Sequence, residues 1–241
     1  MSVTQQAEEN MYERLKNNVY PGRGIALGLS ESGGEFIQIY WIMGRSANSR
    51  NRIFALKNDM LQTQPLDVSN VENPKLIIYN AMRQVGSQFI VSNGDQTDTI
   101  YEHLSQGKTF ESAMSERTFE PDAPNFTPRI AGVIDLKAGH AAIKLAIAKK
   151  SPMNDNPLHH FFHMQSPEKG LGWCIHTYEQ DGNPIPPFAG EPYIVPVRGT
   201  VDEIANSFWN VLNEDNKISL AVKAIQIKTG KAEIKILNKY R

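Results

Sequence analysis

Two apolar runs joined by a glycine turn constrain this fold more than any other feature. Residues 23–30, RGIALGLS, and 35–43, EFIQIYWIM, are each of strand length and mostly apolar, the second rich in β-branched and aromatic side chains. Glu31-Ser32-Gly33-Gly34 lies between them, and glycine accepts the positive φ a tight hairpin requires. The pattern recurs. RIFALKND (52–59) and MLQTQPLDV (60–68) read as a second pair. RIAGVIDL (129–136) and AAIKLAIAKK (141–150) pair across Lys137-Ala138-Gly139-His140. KISLAVKAIQIK and KAEIKILNK close the chain as a hairpin over Thr229-Gly230. Further strands are expected at QFIVSN (88–93), HFFHMQS and GWCIHTYEQ (172–180), while 75–85, KLIIYNAMRQV, fits strand or helix.

Helices fall in separate groups, at 95–106, 109–119 and 200–214. The last is the clearest: Thr200 caps it, Glu203 completes a capping box, and Ile204, Phe208, Val211 and Leu212 share one face. Residues 1–18 read as a polar lead-in with one short helix. Strands in hairpins with segregated helices predict an α+β layered domain rather than a doubly wound parallel sheet. PDAPNFTP (121–128) and DGNPIPPFAGEP (181–192) are loops, because proline donates no ladder hydrogen bond.

A formal net charge of −1 argues against a dedicated nucleic-acid binder but leaves room for a local anion pocket. One cysteine, Cys174, permits no disulfide within the chain and fits a reducing, cytoplasmic setting. The polar N-terminus has no apolar core of a signal peptide, and no run reaches membrane-spanning length.

Charge is nevertheless concentrated. In YWIMGRSANSRNR (40–52), Arg45, Arg50 and Arg52 sit among Gly44, Ser46 and Asn51, directly after a strand. Guanidinium forks on small-residue backbone suit phosphate or carboxylate. A solvated hairpin rim would carry the same residues. Arg23 adds a fourth guanidinium between Gly22 and Gly24. In VSNGDQTDTI (91–100), Ser92, Asn93 and Gly94 join a strand to a helix start, which either caps the helix or receives a polar ligand. Tyr178 and Glu179 close a strand and offer a proton donor and a general base, or an ordinary strand end. Tyr79, Asn80 and Arg83 interrupt an apolar run, lining a pocket or capping a half-buried element. His159, His160 and His163 lack acidic or thiol partners at ligand spacing, so no metal is expected.

YPGRGIALG, GRSANSRNR, IIYNAMRQVGSQFIVSNGDQTDTI, TPRI and TYEQ follow one another in this order. Together they resemble the archaeal-type inosine monophosphate (IMP) cyclohydrolase family, from about Tyr20 to Gln180. The resemblance implies a four-layer αββα sandwich similar to the N-terminal-nucleophile hydrolases, with two antiparallel sheets between helices. It implies a lead-in over 1–19 and a single domain over 20–241. It implies ring closure of 5-formamidoimidazole-4-carboxamide ribonucleotide to IMP and water, the last step of purine synthesis, without a cofactor. The expected partner is a small-molecule purine ribonucleotide, not nucleic acid or membrane, and a homo-oligomer is expected.

On that reading Arg45 lies nearest the chemistry, and Tyr79 and Glu179 handle protons. Arg23, Arg50 and Arg52 hold phosphate, with Ser46 and Asn51 beside them. Asn80, Ser92, Asn93, Gly94, Thr127, Arg129 and Tyr178 complete the substrate contacts. Two rivals remain. An N-terminal-nucleophile amidohydrolase would need a nucleophile at a mature N-terminus, for which Ser2 is the nearest candidate. A non-catalytic purine-nucleotide binding protein would bind without turnover.

Overall fold

The computed structural model describes residues 1–71, 77–138 and 142–240. The first hairpin forms as its pattern dictates, with β1 (Gly24–Leu29) and β2 (Glu35–Met43) antiparallel. β2 is buried on both faces from Phe36 to Met43, which explains a run that is apolar but for Gln38. It sits inside a six-stranded antiparallel sheet. On one side of the first hairpin lie β10 (Leu171–His176) and β11 (Tyr193–Pro196), and on the other β12 (Lys217–Gln226) and β13 (Ala232–Asn238). The order is β11-β10-β1-β2-β12-β13.

The second sheet runs in chain order. It comprises β3 (Ile53–Lys57), β4 (Met60–Gln64), β5 (Tyr79–Val85), β6 (Gln88–Ser92), β7 (Arg129–Asp135), β8 (Ile143–Lys150) and β9 (Pro157–Met164), all antiparallel. The ambiguous 75–85 stretch resolves as strand from Tyr79, because it is paired on both sides by β4 and β6. The residues at 75–76, and at 139–141 in the expected β7–β8 turn, lie outside the described residues.

Period-two alternation assigns the faces. Phe89 and Val91 of β6, Ile130 and Ile134 of β7, and Ile143, Leu145 and Ile147 of β8 join the core between the sheets. Ile90, Ala131, Val133, Ala146 and Ala148 point the other way, into a second cluster with Ile100, Phe110 and Met114. Those three residues belong to α3 (Gln96–Ser105) and α4 (Phe110–Ser115), which cover the outer face. A Cβ on Gly132 would meet Leu27 Cδ1 at 2.8 Å, so glycine there lets the sheets approach. On the opposite side, α5 (Val201–Val211) packs on β12 and β13, with the Thr200–Glu203 capping box in place. The α+β, helix–sheet–sheet–helix arrangement is therefore as expected.

Three local differences have physical causes. β11 was not anticipated; Pro192 precedes it and Pro196 is its last residue, and it survives as an edge strand where proline is tolerated. β10 ends at His176, because Tyr178 N–H turns to the Pro21 carbonyl and Glu179 N–H to that of Pro186. α4 stops at Ser115, and the chain to residue 119 runs on toward the site. The lead-in folds as α1 (Val3–Met11), capped by Ser2, followed by a π-helical turn, Tyr12–Lys16. It lies on β11 and contributes Met11 and Leu15 to the main core. Among the described residues no helix is long and apolar enough to cross a membrane.

Candidate active site

Three chain segments far apart in sequence line a pocket of about 320 Å³. The first enters β1 through Tyr20, Gly22 and Arg23. Gly22 has φ +73°, and a Cβ there would lie 2.2 Å from Thr177 Oγ1 and 2.5 Å from the Tyr178 ring. Only glycine fits, and its carbonyl accepts the Trp41 indole N–H at 3.0 Å. The tight passage brings the Tyr20 ring onto Tyr178, with centroids 5.7 Å apart and planes inclined by 22°.

The second segment is the arginine loop. Ser46 caps the single turn α2 (Ala47–Arg50), and each arginine leaves it differently. Arg52 folds back into the pocket wall and is only 5% exposed. Its Nε donates to Ser49 O at 2.8 Å and its Nη2 to Met43 O at 3.3 Å. Among the described residues no carboxylate lies within ion-pair distance of it. Burying a guanidinium without a carboxylate partner is costly, and its fork of donors suits an anion. Arg45 stands half-exposed at the rim, 5.0 Å above the Tyr20 ring and paired with Asp181. Arg50 turns its Nε to Gly44 O and lines a separate hollow with Asn51.

The third segment is the loop before β7, with Glu120, Asp122, Asn125 and Thr127. Glu120 grips the buried Arg23 through two parallel bonds of 2.8 and 2.9 Å. Burial opposes the Arg23 charge, but Glu120 outweighs it and holds the guanidinium firmly protonated. Thr127 donates both its N–H and its hydroxyl to Asp122, and its oxygen also meets the Tyr178 hydroxyl. An ionised carboxylate only accepts, so the threonine proton points to Asp122 and the tyrosine proton to Thr127. The result is a directed relay, Tyr178 to Thr127 to Asp122. Burial raises Asp122 above the usual carboxylate range despite both bonds from Thr127, and Glu120 adds to the rise. Burial also pushes the Tyr178 phenol well up, against the charge of Arg23. Acid and phenol are thus both biased toward holding protons.

The pocket thus joins buried and half-exposed guanidinium groups to a chain of hydrogen-bonded hydroxyls ending on a carboxyl, and the sequence that builds it has known counterparts. The model of a family described as IMP cyclohydrolase-like protein matches residues 20–231. The chain belongs to that family. Curated relatives named IMP cyclohydrolase come from archaea. That of Haloquadratum walsbyi is 32% identical over 120 residues, 48% of this chain and 57% of its own length. That of Methanocella arvoryzae is 30% identical over 148 residues, 57% and 70% of the two chains. That of Methanocaldococcus jannaschii is 26% identical over 214 residues, 86% and 94%. The first of these matches therefore spans little more than half of the relative.

Among the IMP cyclohydrolase-like residues singled out in the sequence, the structure gathers Arg23, Arg45, Ser46, Arg52, Thr127 and Tyr178 around one pocket. Others stand behind it. Asn93 accepts the Ile130 N–H, donates to Pro128 O, and offers its own carbonyl to Arg23, so it anchors the Thr127 loop. Ser92 and Gly94 bond each other and Thr97 at the start of α3. Arg129 pairs with Asp95 and Gln96. Asn80, with Arg83, binds Asp98. The Tyr79 hydroxyl meets that of Tyr40 at 2.7 Å, close enough to Arg23 to act on its charge. Glu179 accepts the Ala189 N–H and lines a neighbouring hollow. Glu120 and Asp122 were missed. The available signal was FEPDAP, where two acids in a proline-stiffened loop precede TPRI. Among the described residues no three His, Cys, Asp or Glu side chains are grouped to hold a metal.

Proposed function

We propose that this chain closes the purine ring of 5-formamidoimidazole-4-carboxamide ribonucleotide to give IMP and water. Membership of the IMP cyclohydrolase-like family supports this activity. The observation that carries it to this pocket is the coexistence of an anion receptor, Arg52 with Arg45, and the Asp122–Thr127–Tyr178 relay.

The reaction needs the carboxamide nitrogen held against the formyl carbon. Orientation of that kind supplies roughly 7–11 kcal/mol in the best cases. The 5′-phosphate binds Arg52 and Arg45, which fixes the ring above the Tyr20–Tyr178 stack. As the nitrogen attacks, Asp122 takes its proton and charge develops on the former formyl oxygen. Once Asp122 holds that proton the chain of hydrogen bonds reverses: Asp122 donates to Thr127, Thr127 to Tyr178, and Tyr178 to that oxygen. The oxygen leaves as water, carrying one proton from the carboxamide nitrogen and one from the formamide nitrogen. Arg23, locked to Glu120, supplies fixed positive charge beside the relay, and Tyr79 backs it. Asn93 anchors the loop that carries Asp122 through Pro128 and Ile130, while Arg129, Ser92, Gly94 and Asn80 hold the start of α3 behind it. Glu179 and Arg50 stand outside this pocket and serve its neighbours. We place the enzyme in the cytoplasm as a homo-oligomer acting on a free nucleotide.

The amidohydrolase rival is disfavoured by Ser2, whose hydroxyl accepts the Gln5 N–H to cap α1. The relay disfavours a mere binding protein, because binding requires no proton path. The test is direct: wild-type protein with the formamido ribonucleotide, followed by the ultraviolet absorbance of the closing ring. Closure is expected. Tight IMP binding without closure would favour the binding protein.

A further inference from the structure

The pocket mouth is a three-part stack of Arg45, Tyr20 and Tyr178, contributed by three distant stretches of chain. Two side chains outside the pocket lining bridge those stretches. Asn18 accepts the Tyr20 N–H at 3.1 Å through Oδ1 and donates through Nδ2 to the Glu179 carbonyl at 2.8 Å. One half-buried amide thus ties the backbone of Tyr20 to the residue after Tyr178. Asp181, two residues further on, accepts from Arg45 Nη1, and the Gly182 carbonyl shares that nitrogen at 3.1 Å.

Both contacts engage one edge of the guanidinium. A guanidinium is planar and its donors are fixed relative to one another. With Nη1 committed, the Nε–Nη2 edge remains, and that edge presents two parallel donors to a phosphate.

We propose that Asn18 and Asp181 are positioning residues that hold Tyr20 and Arg45 against Tyr178, so that Arg45 offers its Nε–Nη2 edge to the substrate phosphate. This rests on the nucleotide reading of the pocket. It makes residues 1–19 part of the site although the family match begins at residue 20. An exposed ion pair such as Arg45–Asp181 contributes little to stability. Loss of Asp181 therefore leaves the fold intact and frees Arg45 to sample other rotamers.

The test is steady-state kinetics of the full chain, with inosine and IMP as competing ligands. N18A and D181A each raise KM for the formamido ribonucleotide about three- to tenfold, with kcat within about twofold, as expected when ground-state binding is lost. Affinity for IMP falls and affinity for inosine, which lacks the phosphate, does not. D181N keeps an acceptor oxygen and recovers most of the D181A loss. The double variant falls short of the product of the singles, because both act on one stack. Unchanged KM in both single variants overturns the proposal, as does an equal loss for inosine and IMP. A wild-type protein that closes no ring overturns the functional reading and this proposal with it, an outcome distinct from normal turnover insensitive to N18A and D181A.

Discussion

Asp95 and Asp122 are both partly buried carboxyls, and their surroundings treat them in opposite ways. Asp95 begins α3 between Arg117 and Arg129. Burial works against its charge, but the Arg117 hydrogen bond and the Arg129 charge outweigh burial and hold it below the usual aspartate range. Asp122 receives only the N–H and hydroxyl of Thr127. There burial wins, Glu120 reinforces it, and the carboxyl rises. Around Asp95 each charge is answered within the chain, which is how a scaffold is built. Around Asp122 the acid is underpaired, and among the described residues no carboxylate lies within ion-pair distance of Arg52, the pattern expected of groups that meet a ligand.

The strongest way to break this contrast is to remove a matched charge from the pocket wall. Arg23→Met strands the buried Glu120 carboxylate, and urea unfolding should show a loss of about 3–5 kcal/mol. A much smaller loss would mean that the pair is not desolvated. Removing the unmatched charge has the opposite profile. Arg52→Ala should weaken IMP binding by about 1.5–3 kcal/mol in calorimetry, the range for hydrogen bonds to a charged group, while the unfolding midpoint hardly moves. A variant that lost stability but kept affinity would make Arg52 scaffold.

The aspartates themselves sharpen the contrast through pH. Asp95 has a depressed folded pKa, so its stabilisation is present above its ordinary value of 3.8 and is lost as pH falls through the folded value. Asp95→Asn should therefore melt below wild type at pH 7, with the gap closing under acid. Asp122 has a raised folded pKa, so its contribution is present below 3.8 and is lost as pH rises through the folded value. Asp122→Asn should melt above wild type at pH 7, the two converging near pH 3. Thermal melts at pH 3, 5 and 7 check both signs.

Much of this was legible in the residues, and what was not has a reason. Apolar runs of strand length broken by turn residues gave the hairpins of both sheets, because strands covered on both faces read as near-continuous apolar segments. The arginine loop stood out because guanidinium on glycine and serine is unusual beside a buried strand. Which arginine turns inward was not legible: Arg50 and Arg52 are two residues apart, and one turn of helix sends them to different hollows. Asp122 was hidden because its role depends on Tyr178, 56 positions away, and on a fold that brings both beside Arg52. Ser92, Asn93 and Arg129 look like ligand contacts in one dimension because buried polar networks and binding sites draw on the same side chains.

The central claim is that the chemistry resides at Asp122 and not in the polar network beside it. The measurement is the initial rate of ring closure, by ultraviolet absorbance at pH 7, for wild type, Asp122→Asn and Asp95→Asn. The account predicts that Asp122→Asn loses about a hundredfold or more in kcat, the scale of general-base catalysis, while Asp95→Asn stays within about threefold. Equal rates for Asp122→Asn and wild type, or a larger loss in Asp95→Asn, would contradict it.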